Sequence, residues 1–199
     1  MLRMRTAALP ALRLAALALL FGTCTAATAQ AGYYVFDPAR SFVHFEVLHF
    51  GTSTIRGRIG PVPGSVTIDR AARSGSVSLR IPTATVSTGV PEMDARLRDA
   101  DLLGSVAYPE AYYVSSDFRF DAQGQLAELR GEFTLRGVSR PLALRMRRFG
   151  CHTHPLLQRE VCGGDFEGEL RRTEFGADFG VPVVGDLVRL VVQVEGIKR

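Results

Sequence analysis

The residues best suited to chemistry in this chain cluster in one segment, CHTHPLLQREVC, which holds Cys151, His152, His154 and Cys162. Thiolate and imidazole are soft ligands that zinc or copper accepts, yet their spacing follows no paired-ligand pattern of a structural zinc site. The same two sulfurs can instead close a disulfide, and the compartment decides between the two. Elsewhere His49 ends the run SFVHFEVLH; it either caps a strand or hydrogen-bonds the head group of a ligand at a pore mouth. Arg172 either pairs with the acids around it or meets that head group. His44 falls on the opposite face from Phe45 and is expected in solvent. The acid pairs Asp99 with Asp101 and Asp117 with Asp121 sit where solvated charge is the default. No nucleophile stands with a base, no glycine loop precedes a helix to cradle phosphate, and no helix carries paired histidines. Neither an enzyme nor a metal or cofactor site is expected.

The compartment is legible at the N-terminus. Arg3, Arg5 and Arg13 precede or flank the apolar run Leu14 to Phe21, and Ala27-Thr28-Ala29 offers small residues for a cleavage enzyme. Residues 1–29 therefore read as a cleaved secretory signal peptide and 30–199 as one domain, exported to the periplasm or secreted. The apolar run is far short of the roughly 20 residues a membrane span needs. A lipid-modified Cys24 is the competing start, but Phe21 and Thr23 fit a lipoprotein signal poorly. Cleavage before Gln30 removes Cys24 and leaves Cys151 and Cys162 as an even pair in an oxidising compartment, which favours their disulfide. The segment also carries three of the 24 basic residues and none of the 20 acidic ones, so the remaining domain is close to neutral. Nucleic acid demands a basic stripe, so it is not an expected partner.

The elements that would position these groups are strands. Val43, Phe45 and Val47 alternate with polar or outward neighbours, Gly51 breaks the run, and Ile55, Gly57 and Ile59 alternate with Thr54, Arg56 and Arg58. Val66 and Ile68, then Val77, Leu79 and Ile81, read as a hairpin. Tyr112, Val114, Ser116, Phe118 and Phe120 are expected on one face of a strand. Phe133 and Leu135, then Leu142, Leu144 and Met146, form another hairpin, turned by Gly137 to Pro141. Cys151 to Gly164 reads as a loop; Phe166 to Arg172 and Leu187 to Glu195 complete the set, with Val188, Leu190, Val192 and Val194 on one face. One helix is expected from about Glu92 to Leu103, with Met93, Leu97 and Ala100 at helical spacing and Gly104 at its end. About eight antiparallel strands can close a barrel, which removes exposed edges and leaves room for packed side chains or one small ligand.

The order of several short motifs resembles the YceI family of exported bacterial lipid-binding proteins, across essentially the whole domain. They are Tyr34 with Asp37-Pro38 and Ser41; Val43, Phe45, Val47, His49 and Gly51, then Gly57; Thr88-Gly89; Leu97, Asp101 and Leu102 with Tyr108-Pro109. Gly131, Thr134-Leu135, Gly137-Val138, Pro141, Arg172, Phe175-Gly176 and Val184-Gly185-Asp186 follow. The resemblance implies an all-β, eight-stranded antiparallel lipocalin-like barrel with one short helix, whose long apolar pore holds a polyisoprenoid or prenyl-quinone lipid. A dimer and a periplasmic setting are also implied. Arg96 and Leu102-Leu103 replace the His and aromatic residues common in that family, so its ligand length is not carried over. The Cys151–Cys162 insertion is not a general family feature.

Taken with the resemblance, the inward set Val43, Phe45, Val47, His49, Ile55, Phe118, Phe133, Leu135, Leu144, Arg172, Val188, Leu190 and Val192 is expected to line the pore. At about 0.8 kcal/mol per buried CH₂, each isoprene unit contributes on the order of 3 kcal/mol gross, partly offset by the freedom lost on association. The expected function is to carry or store such a lipid, delivering it between membranes or to a membrane redox protein. The alternative is a metal-handling or redox-responsive protein acting through the Cys151–Cys162 loop.

Overall fold

The computed structural model describes residues 31–199, so the segment read as a signal peptide lies outside the described residues. Ten strand segments form one antiparallel sheet: β1 (Gly32–Phe36), β2 (Phe42–His49), β3 (Ser53–Ile59), β4 (Gly64–Asp69), β5 (Ser74–Pro82), β6 (Glu110–Phe120), β7 (Leu126–Leu135), β8 (Val138–Thr153), β9 (Glu160–Arg171) and β10 (Val184–Lys198). They amount to eight staves. β1 and β2 follow one another along the same edge of β10, separated by the turn at Asp37, whose carboxylate accepts the Ala39 N–H at 2.9 Å. β3 and β4 are likewise one stave interrupted at Gly60 to Pro63. The ring closes because β1 pairs with both β4 and β10. The alternation read from the sequence is the cause: each stave turns one row of side chains inward, and only a closed ring leaves no edge unpaired.

Closure is complete at one end only. β5 follows β4 but parts from β3, and the chain beyond β5 takes its place, with Arg58 and Ser87 exchanging backbone hydrogen bonds of 2.8 and 2.9 Å. The connection from Thr83 to Pro109 therefore covers the gap beside β3, and it contains the helix α1 (Pro91–Leu97). Pro91 starts α1 where its missing N–H costs nothing. The helix ends earlier than its apolar spacing suggests. Arg136, from the turn between β7 and β8, donates Nη1 to the carbonyls of Ala100 at 2.5 Å and Leu102 at 2.9 Å, and Nε to that of Phe175 at 3.1 Å. Arg136 thus ties the chain beyond α1 to the barrel end, and Gly104 turns it away at φ +61°.

Three other sequence expectations are corrected. Tyr112, Val114 and Ser116 are exposed while Tyr113 and Ser115 are buried, because the ladder shifts register between Val114 and Asp117. A bulge swaps faces there, which strict alternation does not reveal, and Phe118 is inward only after it. The β7–β8 reversal is made by Arg136 and Gly137 alone, at φ +53° and +73°, with Val138 already in β8. This is the geometry of a two-residue hairpin turn. Finally, Cys151 and Cys162 are not in a loop. They face each other across the β8–β9 ladder, and only the tip between Thr153 and Glu160 is irregular.

Candidate functional site

The incomplete end of the barrel encloses a cavity of about 240 Å³. β2 contributes Val43, Phe45, Val47 and His49, β3 contributes Ile55, β7 contributes Phe133 and Leu135, and β10 contributes Val188 and Leu190. Arg172, just past β9, also borders it. The remaining three expected pore residues, Phe118, Leu144 and Val192, face the same axis but lie deeper, around a separate space of about 50 Å³. The barrel is therefore hollow at its open end and largely packed at its closed one.

Several lining residues were not singled out from the sequence. Ile59 and Ile81 lie on inward rows of strands already recognised, and Met93 and Leu97 on the apolar face of α1, so period alone points to them, whereas Ala111 lies on the β6 row that alternation places outside and the bulge turns inward. Phe179 sits on irregular chain, where no period exists to expose it, while Leu102 and Leu103, noted through the family resemblance, lie beyond the end of α1.

Side-chain placement against the wall keeps the space open. Phe45 lies over Gly57, its register partner on β3, so that a methyl at Gly57 would stand 2.6 Å from Phe45 Cε1. Phe133 packs edge-on against the buried Phe175, their ring centres 5.6 Å apart. Both aromatics thus line the lumen rather than cross it.

The polar groups bordering the cavity are mostly engaged elsewhere. Arg172, only 7% exposed, donates Nε to Gly185 O at 2.8 Å, Nη1 to Ala177 O at 2.7 Å and Phe179 O at 2.9 Å, and Nη2 to Val184 O at 2.8 Å. Burial pulls its pKa below the ordinary guanidinium value while Asp186 and Asp178 oppose that shift. Its partners are carbonyls, not the acids anticipated, and it fixes the 177–185 chain against the barrel end. Arg96 is held by Asp101 at 2.6 and 2.7 Å and by Asp99 at 3.0 Å, and its guanidinium lies 3.8 Å from the Phe179 ring centre. The Thr83 hydroxyl donates to Tyr108 O at 2.8 Å. His49 is different: among the described residues its ring makes no hydrogen bond, and it meets Phe50 edge-on at 4.5 Å. Its imidazole thus keeps both ring nitrogens available to a guest. Beside it stand the exposed apolar side chains of Leu48, Phe50, Phe179 and Val183, with the Phe50 N–H bonded to Val183 O at 2.8 Å. Of these, Phe179 also lines the cavity.

Other groups with chemical potential have structural partners. Asp117 pairs with Arg119 at 2.7 Å, and Asp121 accepts the N–H groups of Gln123 and Gln125. His154 Nδ1 accepts the N–H groups of Leu156 and Leu157. Cys151 and Cys162 are joined in a disulfide with Cα atoms 4.1 Å apart. It lies toward the closed end of the barrel, since Cys162 is opposite Gly196 near the end of β10 whereas the cavity reaches Val184 at its start. The bridge therefore does not restrain a flap over the open mouth. Arg70 Nη2 donates to both sulfurs and lies 3.7 Å from Glu160, which accepts the Tyr34 hydroxyl at 2.7 Å. That hydrogen bond is the main cause holding the Glu160 carboxyl below its ordinary pKa. Burial, helped by the same bond, pushes Tyr34 up to about 12.

With this geometry in view, comparison with known proteins gives a consistent answer. The protein called YceI of Escherichia coli O157:H7 is 29% identical over 178 residues, covering 88% of this chain and 92% of its own. A UPF0312 protein of Pseudomonas aeruginosa strain LESB58 is 32% identical over 194 residues, covering 94% and 97%. Among solved structures, Burkholderia cenocepacia BcnA superposes with a TM-score of 0.63 at 20% identity, over 80% of this chain and 98% of that one. A polyisoprenoid binding domain from Saccharophagus degradans superposes with a TM-score of 0.61 at 16% identity, over 85% and 100%. The two superpositions establish a shared fold. The pattern of the YceI-like domain matches residues 34–196, and the chain belongs to that family.

Proposed function

We propose that the protein is an exported carrier that holds the isoprenoid tail of an amphiphilic lipid, such as a prenyl quinone, inside its barrel. The observation that carries this reading is the convergence of ten side chains from five parts of the chain on one apolar cavity of about 240 Å³. An engineered apolar cavity of about 150 Å³ stays dry and takes up benzene, so a larger one with the same kind of lining favours an apolar guest. The Saccharophagus degradans neighbour is named for binding polyisoprenoid, which agrees with that chemistry. His49 would meet the head group at the mouth, and the exposed apolar side chains of Leu48, Phe50 and Val183 beside it suit uptake from a membrane surface. Delivery to another membrane or to a membrane redox protein, a periplasmic or secreted location after cleavage of residues 1–29, and a homodimer belong to the same proposal.

The alternative, metal handling at the Cys151 segment, has less support. Cys151, Glu160 and Cys162 place ligand atoms within 4.8 Å of one another. Both sulfurs are bonded to each other, however, and the Arg70 guanidinium that contacts them would repel a cation. Organic extraction of protein purified from its native host, followed by mass spectrometry, separates the readings. Co-purifying prenyl lipid is the expected result; stoichiometric metal with reduced thiols and no lipid would replace this proposal with the alternative.

A further inference from the structure

The long pore implied by resemblance is interrupted halfway. Below the main cavity lies a space of about 10 Å³, bordered by Tyr113, Leu142, Leu144 and Val192, which is at the limit for holding one water. Below that is the space of about 50 Å³ that Leu144 and Val192 also border. The three spaces share walls in sequence along the axis: Val43, Ile81, Phe133 and Leu190 bound the first and second, and Leu79, Leu144 and Val192 the second and third.

The side chains between them are firmly seated. Tyr113 and Leu144 are each 2% exposed. The Tyr113 hydroxyl donates to Leu129 O at 3.2 Å and reaches Leu142 O at 3.4 Å, and its ring rests on Gly131, where a methyl would stand 2.8 Å from Tyr113 Cζ. Leu144 rests on Gly168 in the same way, its Cδ2 2.8 Å from where a methyl would be. Glycine on the adjoining strand lets a large side chain lie close to the wall, and near-complete burial leaves that side chain little room to move aside.

We propose that Tyr113, Leu142 and Leu144 form a floor that sets the length of tail the cavity accepts, so that about ten carbons, or two isoprene units, are enclosed. The figure follows from scaling a cavity of roughly 150 Å³ that accepts one six-carbon benzene. The proposal rests on the lipid-binding reading and deepens it: this chain encloses only about two units of a prenyl tail, the remainder of a longer tail stays outside the mouth, and added length therefore adds little affinity. Each enclosed CH₂ raises affinity about fourfold, so enclosure past the floor would appear as a steep rise with tail length.

The test incubates the full chain, stripped of lipid, with an equimolar mixture of prenols of two, three and four isoprene units and measures the bound ratios by mass spectrometry. Wild type should hold the three within about threefold of one another. Leu144→Ala should enrich the four-unit prenol at least tenfold over the two-unit one, and Val192→Ala is the milder second variant should the first fail to fold. Wild type that already enriches the four-unit prenol tenfold overturns the floor while leaving lipid binding intact. A folded variant with unchanged ratios overturns it as well. No bound prenol in any protein sinks the lipid reading and the floor together.

Discussion

Phe45 and Gly57 are partners in the β2–β3 ladder, and the ring of one lies close against the backbone of the other. The hollow end of the barrel depends on this pairing, because any side chain at position 57 would push the ring into the lumen. Gly57→Ala should therefore shrink the cavity and cost about 1–3 kcal/mol through overpacking. Calorimetry and lipid content of the purified variant check it; unaltered lipid content would mean that the ring has another place to go.

Val47→Arg places a charge on the lining of the same cavity at a position only partly buried. A long side chain there can reach the mouth, so the fold should persist. Lipid retention should fall to background in extracts of the variant. Retention equal to wild type would count against this lining.

Arg172 is predicted to be structural. Its removal leaves four carbonyls, those of Ala177, Phe179, Val184 and Gly185, without their donor. Arg172→Ala should destabilise by at least about 3 kcal/mol, read from urea unfolding. Arg172→Lys should recover little of this, since an ammonium cannot reproduce the planar fork; full recovery would show that charge alone matters.

Replacing both Cys151 and Cys162 by Ser opens a link between residues 11 apart in sequence. The chain-entropy argument gives a loss of about 2–3 kcal/mol, visible as a lower melting temperature. Lipid binding should be largely retained, because the bridge sits at the closed end. An identical melting temperature under oxidising and reducing conditions would argue against a native bridge.

Stability should also depend on pH through the cluster at that closed end. The folded state lowers the Glu160 pKa from its ordinary 4.5, chiefly through the Tyr34 hydroxyl. Its contribution is therefore complete above that value and lost as the pH falls through the lower, folded-state one. Tyr34 acts in the opposite sense: raised from 10.0 to about 12, it stabilises fully below 10 and loses its contribution as the pH rises between those values. Glu160→Gln should flatten the acid limb of a melting-temperature profile; an unchanged limb would assign it to other carboxylates.

The sequence by itself determined the strands, because a period of two in apolar residues leaves each with one face to bury; that they close into a ring rather than stack as two sheets was what the family resemblance implied, and the pairing of β1 with both β4 and β10 shows it. The sequence also paired Cys151 with Cys162 and brought Val43, Phe45, Val47, Ile55, Phe133, Leu135, Val188 and Leu190 to one interior. Alternation distinguishes inside from outside, but it carries no information about depth along the axis. Only the tertiary structure separated Phe118, Leu144 and Val192 from the cavity, turned Tyr113 inward through a bulge, and tied the chain beyond α1 to Arg136. Those outcomes arise from contacts between residues far apart in the chain, where glycine seats, register shifts and long side chains decide which interior positions fill and which stay empty.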